Sequence, residues 1–182
     1  MTYKIKQALI YNYDETTSIL IGIDSSNINF YNLRGAYSLK DYFFNYRLIK
    51  SIALNRSFYS SMGQKIAGIM EIDNKKDKLL FIDSRVYLYD MKEFKIISSL
   101  FIPNPSVVLT LHNGNALIGN DNGIIHLLKY NNGNLDILGK YKICDGKVMD
   151  ISYDNNKYYY SNNNLIVQCD EENGYFLKHI LL

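Results

Sequence analysis

Short apolar runs, each closed by a turn rich in Asn and Gly, return along this chain at intervals near 40 residues. The third run of each unit ends in an apolar-then-polar pair: Tyr31-Asn32, Tyr89-Asp90, Leu128-Lys129 and Cys169-Asp170, which lie 58, 39 and 41 residues apart. A period of that size with several strand-length runs per repeat predicts an all-β chain of four-stranded antiparallel units, each burying its faces against its neighbours. The last two steps hold one unit each, and the first holds about one and a half.

The plan is cleanest after Ser106. SVVLTL (106–111), ALIG (116–119), IIHLLKY (124–130) and LDILGKYKI (135–143) are separated by turns at His112-Asn113-Gly114, Asn120–Gly123 and Asn131–Asn134. Asn and Gly suit such turns because both tolerate positive φ. KVMDISY (147–153), KYYYS (157–161), LIVQCD (165–170) and YFLKHILL (175–182) repeat it, and IKQALIY (5–11), SILIGI (18–23) and NINFYNL (27–33) begin it.

Between Gly35 and Leu100 two segments read two ways. KIAGIMEID (65–73), LLFID (79–83), RVYLYDM (85–91) and EFKIISSLFI (93–102) make four strands of one unit. In an alternative register, residues 59–74 supply a second strand, a turn and a third strand, with Met70-Glu71 as the pair. Within SLKDYFFNYRLIKSIALN (38–55), Tyr42, Tyr46, Ile49 and Ala53 fall at helical spacing behind a Ser38/Asp41 capping box. The flanking sheet units favour two strands there, YSLKDYFF and YRLIKSIAL. Pro103 and Pro105 mark a connection between units, since proline cannot donate to a ladder. The expected organisation is one domain, 1–182, with units at 3–44, 46–102 (irregular), 105–143 and 146–182.

IGIDSSNINFYNL (21–33), FIDSRVYLYDM (81–91) and IGNDNGIIHLLKYN (118–131) resemble the second-to-third-strand turn of WD-repeat β-propellers. Small or polar residues and an Asp lead into alternating apolar positions ending in the pair. Tyr89-Asp90 is the nearest match to that family's Trp-Asp. No unit holds Trp and none opens on Gly-His, so the family's internal hydrogen-bond tetrad is not carried over. The resemblance implies a small or open ring of about four to five blades and a habit of binding proteins. An open ring invites a protein partner, which could complete an open blade; the other possibility is that the middle segment closes the ring internally.

With 47% hydrophobic and 21% charged residues the chain can build a core without disulfides or metals. Its net charge of +2 is spread along the sequence, and only four of its 20 cations are Arg, so no nucleic-acid footprint is written into it. A local Lys/Tyr face (Lys4, Lys6, Lys140, Lys142, Lys147) keeps an RNA- or ribosome-binding alternative open. Two cysteines and the lack of a secretory apolar core favour reduced thiols and an intracellular, cytoplasmic or nuclear, location. No run approaches the ~20 apolar residues a membrane helix needs.

Catalytic signatures are missing. His112, His126 and His179 lie at no metal-ligand spacing, and no nucleophile elbow, phosphate loop or dinucleotide fingerprint occurs. No cofactor or metal is therefore expected, and the chain is not read as an enzyme. Cys144, between Lys142 and Lys147, could be an activated thiol but reads first as a small strand-end residue. Asp170-Glu171-Glu172 lacks any calcium-loop spacing.

The second-to-third-strand turns would share one rim and gather Asp24, Ser25, Asp83, Arg85, Asp121, Asn122, Asn162 and Asn163. In the alternative register Arg56, Phe58, Tyr59 and Lys65 join them. The expected partner-binding set is Arg56, Phe58, Tyr59, Lys65, Asp83, Arg85, Asp121 and Asn122, Arg and Tyr being favoured contact residues. The expected function is a noncatalytic interaction scaffold within an intracellular complex. The alternative is a ligand-binding or enzymatic propeller that uses its central channel.

Overall fold

A computed structural model of the chain describes residues 7–12, 18–24, 27–32, 47–53, 67–83, 85–155, 157–163, 165–170 and 177–181. The turns take the backbone their residues permit, with Asn113 and Gly114 at φ 56° and 73°, and Asn132 and Gly133 at 47° and 94°. Between such turns lie four antiparallel meanders. Blade 1 holds β1 (Gln7–Asn12), β2 (Ser18–Ile23), β3 (Asn27–Asn32) and β4 (Arg47–Ala53). In blade 2 the strands are β5 (Ala67–Ile72), β6 (Lys75–Ile82), β7 (Val86–Asp90) and β8 (Lys95–Leu100). Blade 3 comprises β9 (Pro105–Thr110), β10 (Asn115–Asn120), β11 (Ile124–Asn131) and β12 (Asn134–Lys142). Blade 4 comprises β13 (Asp150–Asp154), β14 (Lys157–Ser161), β15 (Leu165–Asp170) and β16 (Leu177–Leu181).

One boundary of the sequence reading moves, and two of its alternatives fall. The boundary near residues 44–46 moves, because Arg47–Ala53 pairs with β3 as the outer strand of blade 1. The helical spacing of Ile49 and Ala53 gives way there to a ladder, with a bulge at Phe30/Tyr31 that lets Ile49 bow out. Residues 38–46 lie outside the described residues. Met70-Glu71 is no third-strand pair: β5 is the first strand of its sheet and pairs with β6. Among the described residues each of the four blades owns four strands, so none of them waits for a partner's strand; what stays open is the ring.

Consecutive blades pack face to face. β1 meets β5 and β6, β9 and β12 meet blade 2, and β13 meets β9 and β10; the four sheets do not close into a ring. Gln7 fastens the first contact by donating from Nε2 to the Ala67 carbonyl (2.8 Å) and accepting at Oε1 from the Ala67 N–H (3.2 Å). One apolar cluster runs from Ile21 and Phe30 through Leu79, Leu80 and Leu88 to Ile118 and Leu128. A second joins Val107, Leu117 and Val148 to Tyr160 and Val167. The middle blades bury both faces, which is why LLFI (79–82) and ALIG (116–119) read as unbroken apolar runs rather than alternations. Gly119 lets Val148, in the connection leading to blade 4, pack closely on β10, since a Cβ there would stand 2.8 Å from Val148 and 2.7 Å from Val107 of the neighbouring strand.

Among the described residues the end blades each have one face with no other blade against it, and the two faces differ. On blade 1 the cross-strand rows are Ala8–Gly22–Asn29–Ser51 and Ile10–Leu20–Tyr31–Leu48. Neither row holds a charge, and Ile10 and Leu48 are 61% and 51% exposed. On blade 4 the corresponding strands turn outward Asp150, Ser152, Asp154, Lys157, Tyr159, Ser161 and Gln168, with Ile166 among them.

Candidate functional site

In blade 2 the pair at the end of the third strand divides its work between packing and capping. Its first member faces the preceding blade. Tyr89 is buried and stacks on Phe30 of blade 1 at 5.5 Å between centroids, while Phe94 meets the same ring edge-on at 6.1 Å. Leu128 lies in the cluster shared with blade 2, and Cys169 in the one shared with blade 3. Tyr31 holds the same station in blade 1, where no blade precedes it among the described residues. In blade 2 the second member closes a turn: Asp90 Oδ1 accepts from the N–H groups of Lys92 and Glu93, both at 2.8 Å.

Asp90 also belongs to an ionic lock. Lys78 Nζ lies 2.7 Å from Asp77 Oδ1 and 3.1 Å from Asp90 Oδ2, and Lys92 reaches the other Asp77 oxygen at 3.4 Å. Burial pushes the Asp90 carboxyl up, but the Glu93 N–H, Lys78 and the Lys92 N–H together hold it below its ordinary value. For Lys78, burial lowers the pKa and the two carboxylates outweigh it, so the ammonium is held more firmly than usual. This arrangement fastens β6 to the turn after β7 and touches no cavity.

The rim expected to bind partners is largely occupied with its own turns. Asp24 accepts from the Asn27 N–H at 2.8 Å and from Asn29 Nδ2 at 3.4 Å. Buried Asn120 takes the N–H groups of Asn122 and Ile124 on its side-chain oxygen, and its backbone oxygen receives Val148 N–H from blade 4. Asp83 and Arg85 close the blade 2 turn through their backbones, and Asp121 N–H donates to the Asn104 carbonyl. Exposed Asn122 lends its carbonyl to Lys142 Nζ (2.6 Å), and Asn162 Nδ2 donates to the Asp145 carbonyl (3.1 Å). Asp83, Arg85, Asp121, Asn122, Asn162 and Asn163 thus sit in second-to-third-strand turns as expected. Ser25, Arg56, Phe58, Tyr59 and Lys65 lie outside the described residues, and the register that linked the last four to this rim is not the one blade 2 adopts.

A cavity of about 740 Å³ opens at the opposite rim, where the innermost strands of all four blades end. Tyr11 from β1, Glu71 from β5, Thr110 from β9, and Tyr153 and Tyr158 from blade 4 line it. The turn after β9 is docked there by Gly114, whose N–H donates to the Glu71 carbonyl (2.7 Å) and whose carbonyl accepts from Tyr130 N–H (2.8 Å). Its φ of 73°, with Tyr130 O 3.3 Å from a would-be Cβ, suits glycine. The Glu71 carboxylate lies 3.7 Å from Lys76 Nζ and 3.5 Å from His112 Nδ1. One carboxylate with a lysine and an imidazole loosely placed beside it can orient a polar group, but it is not the paired-carboxylate geometry of hydrolytic chemistry. The sequence concealed this site because its residues come from four strands a repeat apart, none of them in a motif.

His126 is buried on the blade 3 face toward blade 2, away from the cavity lining, and its Nδ1 lacks a hydrogen-bond partner. Burial above all, with Lys140 adding to it against a backbone hydrogen bond to Ile118, lowers its pKa from 6.5. Cys144 is not activated: burial raises its thiol pKa despite Asn162 and Lys142. Lys142 pairs with Asp145 at 3.2 Å and Lys147 lies 3.9 Å from Asp121, so both basic residues answer local acids. Lys4 and Lys6 lie outside the described residues. Among the described residues no cluster of His, Cys, Asp or Glu could hold a metal ion.

The blades place this chain with the β-propellers as a class of fold. It is similar in structure to BBS1N, solved in complex with ARL6DN, at a TM-score of 0.65 and 9% identity over 94% of this chain and 50% of that one. A functionally unknown protein from Desulfotomaculum acetoxidans DSM 771 matches at 0.66 and 13% identity, over 99% and 56%. BamB from Moraxella catarrhalis matches at 0.59 and 15% identity, over 91% and 47%. The chain therefore spans about half the length of the solved structures it matches, and the likeness is one of fold. No protein-family model matches the sequence, that of the WD repeat included. No curated protein matches it either.

Proposed function

We propose that the protein is a noncatalytic interaction scaffold, a subunit of a larger intracellular assembly built on degenerate WD-repeat-like blades. The observation that carries this reading is the open ring: among the described residues four blades stack without closing, and blade 1 at one end of the stack exposes the large apolar side chains Ile10 and Leu48. BBS1N, a propeller of the same fold, was solved with a protein bound, which supports the reading by analogy of fold alone. The test is the size of the native particle. The protein in gently lysed cells should elute well above the purified 21.1 kDa chain; co-elution of the two would refute the scaffold role.

The axial cavity favours a second reading, a small-ligand site with Glu71 as its polar anchor and tyrosines as its walls. Ligand-induced chemical shifts confined to Tyr11, Glu71 and Tyr153 would support it. Their absence across a metabolite panel, together with native co-elution, would leave the scaffold alone.

A further inference from the structure

We infer that the cavity where the innermost strands end takes an organic ammonium carrying an apolar body, its charged head at the Glu71 carboxylate and its body against Tyr11, Tyr153 and Tyr158. The inference rests on the small-ligand reading of that cavity and gives its ligand a chemistry. Glu71 is placed by an irregularity in its sheet. Met70 pairs with Lys78 and Ile72 with Lys75, so Glu71 alone stands opposite two residues, Lys76 and Asp77. A bulge of this kind re-aims a side chain and is over-represented beside functional sites. The strand that carries it is held from two sides: Gln7 bonds the Ala67 backbone, and Gly114 N–H donates to the Glu71 carbonyl at 2.7 Å. Thr110 packs so closely on Gly68 that a Cβ there would meet its Cγ2 at 2.8 Å. The carboxylate therefore stands on a fixed support.

That carboxylate is under-compensated where it stands. Its side chain is 19% exposed, yet Lys76 Nζ at 3.7 Å and His112 Nδ1 at 3.5 Å both lie beyond the about 2.7–2.9 Å of a charge-assisted hydrogen bond. Among the described residues neither carboxylate oxygen accepts a hydrogen bond. Both neighbours reach it from solvent, their side chains 70% and 81% exposed. A mostly buried carboxylate gains most from a cation that brings its own N–H donors.

The remaining walls suit the body of such a ligand. Tyr11 lies four residues past Gln7, as Glu71 lies four past Ala67, and Tyr153 and Tyr158 are cross-strand neighbours with ring centroids 4.9 Å apart. Aromatic faces carry negative potential, which attracts an ammonium and repels a carboxylate or phosphate. Ile69 and Leu109 add aliphatic wall. A cavity of about 740 Å³ holds far more than a bare ammonium, so the amine carries an alkyl or aryl body. A free amine and the lysine side chain of a bound peptide share this chemistry.

Calorimetric titration and NMR of the full chain with phenethylammonium test the inference, with neutral phenethyl alcohol and anionic 3-phenylpropionate as matched controls and a capped Phe-Lys dipeptide as the peptide source. The ammonium should bind at least about tenfold more tightly than either control and shift Tyr11, Glu71 and Tyr153. Glu71→Gln should weaken the ammonium about tenfold and leave the alcohol unchanged, while circular dichroism shows the fold intact. Lys76→Gln should act in the opposite sense, strengthening the ammonium about two- to threefold, because it removes a competing exposed cation. Whichever of dipeptide and free amine binds more tightly supports the inference and identifies the source. Equal binding of the alcohol or the carboxylate at these residues would overturn it and leave a ligand site standing. Loss of binding in Lys76→Gln would overturn it as well, since the lysine would then be the anchor. No response to any of the four probes would also overturn it, and the metabolite panel then decides whether the cavity takes a ligand of another class.

Discussion

Phe30 has no exposed surface and lies between blades 1 and 2, with Tyr89 stacked on it at 5.5 Å and Phe94 against its edge. Phe30→Ala removes a ring from a closed site whose neighbours belong to two sheets that cannot easily move together, which costs about 3–5 kcal/mol. For a fold whose total stability is about 5–15 kcal/mol, that is a fifth or more of the margin. With a urea m-value of about 2 kcal/mol/M the midpoint should fall by about 1.5–2.5 M. The ring–ring term is isolated by a double-mutant cycle of Phe30→Leu and Tyr89→Leu, in which apolar volume is nearly kept. The two changes should be non-additive by about 0.5–1.5 kcal/mol. The chain has no Trp, so far-ultraviolet circular dichroism and tyrosine fluorescence serve as paired probes. Additivity within 0.3 kcal/mol, or a midpoint shift for Phe30→Ala under about 0.5 M, would refute face-to-face packing of the first two blades.

Gly119→Ala should destabilise by about 1–3 kcal/mol in the same assay, because the new methyl meets the branched carbons of Val107 and Val148 with no flexible end to yield. Tyr89→Phe should raise stability by about 1 kcal/mol, since the buried hydroxyl has no hydrogen-bond partner and its removal keeps the ring. His126 has its pKa lowered in the folded state, so the unfolded chain takes up a proton first. Stability should therefore fall as pH drops below about 6.5 toward the lower folded value, and His126→Gln should flatten that part of a urea-midpoint profile. An unchanged slope in the variant would remove His126 as the cause.

The sequence made the C-terminal half of the architecture readable and hid the rest for specific reasons. Asn-Gly turns and the Leu128 and Cys169 pairs stood out because blades 3 and 4 keep their connections short, so period and turn chemistry agreed. Among the described residues no extra strand accounts for the 58-residue step from Tyr31 to Tyr89. It came from the stretches between β3 and β4, residues 33–46, and between blades 1 and 2, residues 54–66. Ile49 and Ala53 fell at helical spacing only because a bulge adds a residue to β4. Asp24 was legible as a turn residue, but its conspicuous carboxylate serves the backbone N–H of Asn27 rather than a partner. The cavity at the other rim had no local signal, since Tyr11, Glu71, Thr110 and Tyr153 meet only after four strands have been laid around one axis.

Among the described residues blades 2 and 3 are sheltered on both sides, while blades 1 and 4 lean on a single neighbour. In a linear stack of this kind, opening starts at the extremities and travels inward, so amide protons of the terminal sheets exchange before those of the centre. A protein bound at one end sheet would slow exchange there and leave the other end untouched. Degradation of the unbound chain would likewise begin at an end, linking its lifetime in the cell to its assembly.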